Sequence, residues 1–218
     1  MDLSLATIVL WAVPVVFAIT LHEAAHGYIA MLLGDRTAFM LGRVTLNPLK
    51  HIDPVGTIAV PGFLIAVSVL TKAPLLIFGW AKPVPVNFDA LRNPKRDMFW
   101  VAGAGPTANF VMALAWGILL KATRPDGAFP SDGLLEMSEA GVQVNLMLMA
   151  LNLLPILPLD GGRIVVSLLP RSLANGYARL EPYGFMVVVA LLATGILGVL
   201  MRPLLFGGQY AISVLLGL

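Results

Sequence analysis

Two histidines and a glutamate within five residues form the part of the sequence best suited to chemistry. The segment His22-Glu23-Ala24-Ala25-His26 places its histidines four residues apart. In an α-helix these positions lie on one face, so both imidazoles can bind one metal ion. Glu23 directly follows the first histidine and suits a general base that activates water beside zinc. The pattern therefore predicts a zinc site with His22 and His26 as ligands.

The same motif occurs by chance on solvated helix faces, but its surroundings here argue against that alternative. Residues 3–21 and 27–33 contain no charged side chain, so the motif interrupts an apolar run. A charged group inside a membrane span costs about 2–3 kcal/mol on insertion scales and rarely persists without a function. Two of the chain's 3 histidines also fall within these five residues. The surroundings favour a metal site inside a membrane helix.

A catalytic zinc ion needs a third protein ligand and an open position for water. The chain has no cysteine, and the remaining histidine, His51, is interpreted as an interfacial or hydrogen-bonded residue. Asp160 is the natural candidate because it ends the uncharged run 140–159. Gly161 and Gly162 follow it and would let the backbone approach the first helix closely. The alternative role for Asp160 is to cap a helix that begins at Gly161.

The composition indicates a membrane protein. Of 218 residues, 58% are hydrophobic and 12% are charged, whereas soluble domains have about 25% charged residues. Lipid is therefore expected to solvate much of the surface. The net charge of +2 and the scattered basic residues argue against a nucleic-acid-binding face. Without cysteine, disulfides, thiolate metal sites and cysteine nucleophiles are excluded.

Uncharged runs predict the membrane-spanning helices, since roughly 20 apolar residues cross a bilayer core of about 30 Å. The run 55–81 is broken at Pro61-Gly62 and at Pro74. Both of its flanks are basic, which predicts a re-entrant or hairpin segment that turns at Pro61-Gly62, with a full crossing as the alternative. Two polar or proline-rich stretches, 36–53 and 82–87, predict short β elements near the inner surface. The predicted spans are 3–33, 98–120, 140–159 and 182–201, followed by a short apolar run at 203–218.

The distribution of lysine and arginine predicts the orientation. Basic residues concentrate in 34–54, 82–97 and 163–181, whereas acidic residues outnumber basic ones in the loop 121–139. Cytoplasmic loops carry such an excess of lysine and arginine, so the N-terminus is predicted to lie outside. The helices that carry His26 and Asp160 then both run inward, and the site is predicted in the cytoplasmic half of the bilayer.

These motifs resemble those of the site-2 protease family of intramembrane zinc metalloproteases. The resemblance rests on the pentapeptide 22–26, on Ala-Gly-Pro-Thr-Ala-Asn at 104–109 and on residues 152–162, which end in Leu-Asp-Gly-Gly. Residues 45–54 and 79–86 are similar to the compact prokaryotic members. The match covers about residues 20–165. The chain has no insertion long enough for a PDZ domain or a cystathionine-β-synthase-type (CBS) domain.

The resemblance implies an all-α polytopic membrane protein with a single membrane-embedded protease domain, 1–218. Its three-helix catalytic core would comprise 3–33, 98–120 and 140–159, with accessory helices in 182–218. One zinc ion per chain would support hydrolysis of peptide bonds within or next to transmembrane helices of protein substrates, in a prokaryotic plasma membrane. By this resemblance Glu23 is the base, and the ligands are His22, His26 and Asp160.

Asn109 and Asn152 match asparagines of the family. Each is an amide in an apolar helix, which is costly unless the amide finds a partner. Either could bind substrate backbone, and Asn152 could also stabilise the tetrahedral oxyanion. The alternative is a hydrogen bond between helices. The alternative function is a non-catalytic membrane zinc-binding protein or a transporter, although the outer halves of the spans offer almost no polar residues for a transport path.

Overall fold

The computed structural model describes residues 5–71 and 82–217. Within these residues the regular structure is helical, and no strand is present. Two 3-10 turns, Pro48–Lys50 and Phe88–Ala90, and a π-helical segment, Pro54–Ala59, supplement the α-helices. The α-helices are α1 (Leu5–Leu32), α2 (Thr37–Met40), α3 (Val60–Thr71), α4 (Pro94–Thr123), α5 (Asp132–Asn152), α6 (Asp160–Leu168), α7 (Arg171–Ala178), α8 (Glu181–Ala193) and α9 (Ile196–Leu216).

Helices α1, α4 and α5 pack against one another, α6 packs against α4, and α9 packs against α4, α5 and α8. Residues further along α1 contact residues nearer the start of α4, so these two helices are antiparallel. The same holds for α4 and α5, which makes α1 and α5 run in one direction. The defining pairs are His22–Asn109, His26–Val101, Asn109–Asn145 and Trp116–Gly141.

Small residues set the close spacing of these helices. A Cβ at Gly141 of α5 would overlap the Trp116 ring of α4, and a Cβ at Gly208 of α9 would lie 2.7 Å from Leu146. Lipid tails are as apolar as leucine, so close packing, rather than escape from water, holds membrane helices together. The glycines therefore contribute to stability by letting large neighbours make contact.

Among the described residues, three helices are long and apolar enough to cross a membrane, by length and composition: Val9–Leu32, Pro94–Thr123 and Ile196–Leu216. At most 28% of their apolar windows is buried inside the protein, so most of this surface faces outward. Helix α5 is not among them, because it begins at Asp132 instead of the predicted residue 140 and so includes an acidic first part; it also ends at Asn152, before the predicted residue 159. Its first turns carry Asp132, Glu136 and Glu139.

The predicted β element at 36–53 is wrong. Asn47 and Asp53 begin helical turns instead: Asn47 Oδ1 accepts the Leu49 N–H at 3.0 Å. Asp53 Oδ1 accepts the N–H groups of Val55 and Gly56 at 3.0 and 2.6 Å. Both residues precede a proline, so each pair is a helix N-cap followed by proline in the first helical position.

The predicted β element at 82–87 is also wrong, although the segment lies outside the helices and 3-10 turns. Pro83 and Pro85 have no N–H to offer a neighbouring strand. The N–H of Lys82 donates to the His51 carbonyl at 2.9 Å, and the N–H groups of Val84 and Asn87 donate to carboxylates. Side chains and a loop carbonyl thus take the place of a strand.

A turn at Pro61-Gly62 is not supported, because both residues lie within α3. Pro61 follows the point where the π-helical segment Pro54–Ala59 passes directly into α3, so the chain continues as a helix through the predicted turn. The second part of the predicted re-entrant segment, 72–81, lies outside the described residues.

The predicted boundary between the C-terminal helices, after residue 201, is displaced. Helix α8 ends at Ala193 and α9 begins at Ile196, while Pro203 lies inside α9. Gly195 separates the helices with φ +75, a left-handed conformation that glycine adopts without strain. This glycine, rather than the proline, marks the break.

Candidate metal centre

One face of α1 and the first residue of α6 bring three ligand atoms together. His22 Nε2 and His26 Nε2 lie 3.1 Å apart. Asp160 Oδ2 lies 3.3 Å from the first and 3.4 Å from the second. All three residues are buried, at 7%, 9% and 9% exposure. Together they form a compact group that could hold a metal ion.

The spacing of these atoms fits a tetrahedral ion. Ligand atoms about 2.0 Å from a tetrahedral centre lie about 3.3 Å from one another, close to the three observed distances. Asp160 Oδ2 is buried and has no hydrogen-bond partner in the described part of the chain. A buried carboxylate oxygen without a proton donor is costly. A divalent cation between the three atoms removes that cost.

The second nitrogen of each imidazole fixes the tautomer. Nδ1 of His22 donates to Asn109 Oδ1 at 2.6 Å, and Nδ1 of His26 donates to the Val101 carbonyl at 2.7 Å. A neutral imidazole carries a single proton, so both Nε2 atoms present lone pairs to the site. Such outer partners orient ligating histidines and raise their basicity. The site is therefore arranged for a metal.

An amide chain links all three core helices behind His22. Asn109 is fully buried, and its Nδ2 donates to the Ala18 carbonyl at 3.2 Å and to Asn145 Oδ1 at 3.0 Å. The polar atoms of Asn109 are thus engaged inside the protein, which argues against the predicted contact with substrate. Asn145, also fully buried, was not singled out in the sequence, although it is an amide in the same apolar run as Asn152.

Gly105 of α4 packs directly against the two imidazoles. A Cβ added there would overlap both His22 and His26, whereas a Cβ at Gly103 would meet nothing within 4 Å. The absence of a side chain at Gly105 is therefore what leaves room for the ligand atoms.

Asp160 is positioned by the turn that precedes it. The sequence suggested that Gly161 and Gly162 approach the first helix, but they pack elsewhere. A Cβ at either glycine would collide with the backbone of residues 153–157. The turn between α5 and α6 can fold tightly because both positions lack a side chain.

Glu23 is held by the extended segment 82–87. Its Oε2 accepts the Val84 N–H at 2.7 Å. Gly27, one turn further along α1, leaves space for this segment, since a Cβ there would lie 3.0 Å from Val84 and 2.9 Å from Val44. The segment therefore crosses α1 beside the motif and fixes one oxygen of the Glu23 carboxylate.

The far end of the same segment is anchored by Asp35, which is fully buried. Its Oδ1 accepts the Thr37 N–H at 2.9 Å, and its Oδ2 accepts the Asn87 N–H at 2.7 Å. Burial alone would raise the pKa of Asp35, but the hydrogen bonds from Thr37 and Asn87 hold that pKa below its ordinary value of 3.8. Sequence reasoning missed this residue, because its partner is distant in the chain.

Asp35→Asn is expected to destabilise the protein at neutral pH by about 1–3 kcal/mol, because an amide cannot accept both N–H groups as a carboxylate does. The pKa of Asp35 is lower in the folded state than in the unfolded state. Its contribution to the free energy of unfolding is therefore complete above pH 3.8 and is lost as the pH falls through the pKa of the folded state. The melting temperatures of the wild type and the variant, measured between about pH 3 and pH 7, should show a gap that narrows below about pH 4. A gap independent of pH would contradict this role.

Two other predicted residues lie outside the ligand group. Asn152 is the last residue of α5 and half-buried, and its Nδ2 donates to the Leu148 carbonyl at 3.0 Å. His51 is buried, and its Nε2 donates to the Thr45 carbonyl at 3.0 Å. His51 is thus a hydrogen-bonded loop residue.

Comparison with known proteins identifies the family. The model of peptidase family M50 matches residues 117–195. The chain is 37% identical over 204 residues to "Putative zinc metalloprotease YwhC" of Bacillus subtilis (strain 168), covering 92% of this chain and 87% of the relative. It is 31% identical over 182 residues to "Putative zinc metalloprotease Rip2" of Mycolicibacterium smegmatis, covering 81% of this chain and 64% of that relative. No solved structure matches the chain.

The chain belongs to peptidase family M50, the site-2 protease family of zinc metalloproteases. Its three long apolar helices and this membership make it an integral membrane protein. The family implies Zn²⁺ as the cofactor, and the group formed by His22, His26 and Asp160 fits that ion in donor type and spacing.

Proposed function

We propose that this protein is an intramembrane zinc metalloendopeptidase that hydrolyses peptide bonds within or next to transmembrane helices of membrane proteins. The observation that carries the proposal is the place of the histidine pair. His22 and His26 lie inside the apolar span Val9–Leu32, and their outer partners lie inside Pro94–Thr123. A hydrolytic centre between two spanning helices meets peptide bonds that a soluble protease does not reach.

The depth of the centre follows from α4. From Met98, the first residue after the charged turn of α4, Val101 and Asn109 lie about 4.5 and 16.5 Å along the helix, at about 1.5 Å per residue. A bilayer core is about 30 Å thick, so the midpoint of these positions falls in the half nearer the start of α4. That end is basic and is therefore assigned to the cytoplasm. The proposal places the centre in the cytoplasmic half of a prokaryotic plasma membrane, with the N-terminus outside.

The chemistry is divided among a few side chains. His22, His26 and Asp160 are the proposed ligands, and bound zinc supplies Lewis acidity that polarises a scissile carbonyl and makes water a stronger nucleophile at neutral pH. Glu23, with Oε2 held by Val84, uses Oε1 to take a proton from the attacking water and passes it to the leaving amine as the C–N bond breaks. Asn152 has one amide hydrogen left for a substrate carbonyl or the oxyanion.

Asn109 is proposed to orient His22 instead of binding substrate. Asn109→Leu is expected to lower zinc affinity about 10–100-fold, as loss of an outer partner does in other zinc sites. Asn109→Asp keeps an acceptor for the Nδ1 proton of His22 and should retain most of the affinity, although its bonds to Ala18 and Asn145 are lost. Zinc titration of the purified variants measures both effects. Equal losses in the two variants would contradict an orienting role.

The proposed orientation can be tested with single cysteines, because the chain has none. Asp126→Cys lies in the loop after α4 and Asn175→Cys lies in α7, both at exposed positions. A membrane-impermeant maleimide applied to intact cells should label the first and not the second, and permeabilisation should expose both. The reverse pattern would overturn the orientation.

The direct test of the function is turnover in a lipid bilayer. The purified protein, reconstituted with single-span substrates, should release fragments whose new ends, mapped by mass spectrometry, lie within or next to the transmembrane segment. A zinc chelator should stop the release, and added zinc should restore it. Cuts confined to water-exposed domains would contradict the intramembrane assignment. Zinc binding without turnover on any substrate of a broad library would favour the non-catalytic or transporter alternative.

A further inference from the structure

An open cavity of about 460 Å³ lies where α4 begins and α6 ends, apart from the metal centre. Its lining brings two cationic side chains together with aromatic and aliphatic ones. The lining residues are Lys95, Arg96, Phe99, Trp100, Ser167 and Leu168. This combination of charge and apolar surface suits an amphipathic ligand with an anionic end.

The two cations are free to bind such a ligand. Lys95 and Arg96 are exposed, and neither forms an ion pair or a side-chain hydrogen bond with any residue in 5–71 or 82–217. The adjacent acid, Asp97, is buried and accepts the Asn93 N–H at 2.8 Å. Its carboxylate therefore serves the start of α4 and forms no ion pair with Lys95 or Arg96 in the described part of the chain.

The apolar part of the lining faces outward. Trp100 is 57% exposed and Leu168 is 67% exposed. Phe99 and Trp100 meet edge to face, with ring centroids 5.2 Å apart. Tryptophan at the end of a membrane span typically lies at the level of the lipid headgroups. The aromatic pair therefore offers a surface for acyl chains directly beside the cations.

A second cavity of about 450 Å³ has the same character. It lies where α1 ends, and the antiparallel packing brings that end to the level where α4 begins. Its lining residues are Met31, Leu32, Arg36, Phe39 and Arg92. Two cavities at the same end of the helix bundle thus combine basic side chains with apolar ones, as expected at a membrane surface.

We propose that the cavity at the start of α4 binds the headgroup of an anionic phospholipid. Lys95 and Arg96 contact the phosphate, and the acyl chains lie along Phe99, Trp100 and Leu168. Basic pockets at the ends of membrane helices recognise acidic headgroups in this way. A lipid held here fixes the depth of α4, which carries the partners of both histidines, and so sets the level of the metal centre.

The test compares lipid affinities by native mass spectrometry of the detergent-solubilised full chain. Phosphatidylglycerol is titrated against phosphatidylcholine on the wild-type protein and on the double variant Lys95→Gln/Arg96→Gln. The matched control is Arg171→Gln/Arg179→Gln, which removes the same charge from exposed positions outside the cavity. Unchanged zinc content shows that each variant is folded.

We expect Lys95→Gln/Arg96→Gln to lower phosphatidylglycerol affinity about tenfold or more, given the contribution of each basic residue near an anionic membrane. The control and the phosphatidylcholine affinity should change less than about twofold. Equal losses in the control would overturn the proposal, as would displacement of the lipid by millimolar inorganic phosphate. A loss of cleavage of acidic substrates in lipid-free detergent, with lipid affinity unchanged, would assign the cavity to substrate and also overturn it.

The lipid result is independent of the proposed protease activity. Glu23→Gln is expected to bind phosphatidylglycerol with wild-type affinity, because Glu23 does not line the cavity. A wild-type protein that cleaves no substrate but still shows the headgroup preference would therefore refute the proposed function and support the lipid site.

Discussion

Glu23→Gln should lower the rate of peptide hydrolysis by about 10²–10⁴-fold, the usual contribution of a positioned acid–base group. Glutamine has nearly the same shape, and its carbonyl oxygen can still accept the Val84 N–H that Glu23 accepts at 2.7 Å. It cannot take a proton from water. Zinc content should stay at the wild-type value, because Glu23 is not in the group formed by His22, His26 and Asp160. Turnover of a reconstituted transmembrane substrate and metal analysis of the same sample measure both quantities.

Two outcomes would contradict this assignment. Undiminished turnover would show that another group activates water. Loss of zinc together with activity would show that Glu23 holds the metal. His22→Ala is the matched comparison, because it removes a proposed ligand from the adjacent position and should lose zinc as well as activity.

Gly105→Ala should abolish zinc binding at concentrations that saturate the wild type. The added methyl group would overlap the rings of both His22 and His26, and these rings cannot retreat without breaking their bonds to Asn109 and Val101. We expect a loss of zinc affinity of at least about 100-fold, more than removal of one outer partner causes. Isothermal titration with zinc, followed by the cleavage assay, measures the effect.

Gly103→Ala is the control for this experiment. It lies on the same helix, and its Cβ would meet nothing within 4 Å. Alanine favours the helix over glycine by up to about 1 kcal/mol, so this variant should bind zinc normally and be at least as stable. Normal zinc binding by Gly105→Ala would show that the helices can separate at this point.

The grouping of side chains at the candidate metal centre was largely predictable because its signals are local. Four-residue spacing in a helix defines the face shared by His22 and His26, and Asp160 stands out as a charge at the end of an apolar run. The geometry brings these three side chains together. The shared direction of α1 and α5, inferred from the basic loops, also agrees with the helix pairings.

Other features depended on partners distant in the chain. Asn47-Pro48 and Asp53-Pro54 are compatible with a turn or with a helix start. The side chains of Asn47 and Asp53 accept hydrogen bonds from the N–H groups that follow, which stabilises the helix start. The segment 82–87 has the composition of an edge strand, but side chains from α1 and Asp35 bind it. The role of Asn109 depended on His22 and Asn145, which no single stretch of sequence brings together.

The separation of the proposed ligands along the chain bears on how the protein is made. More than half of the sequence lies between His26 and Asp160. Translation and membrane insertion proceed from the N-terminus, so a nascent chain acquires the imidazole pair long before the carboxylate leaves the ribosome. An arrested or truncated product lacks one of the three proposed ligands, so the proposed hydrolytic activity would begin only after the last core helix has been inserted.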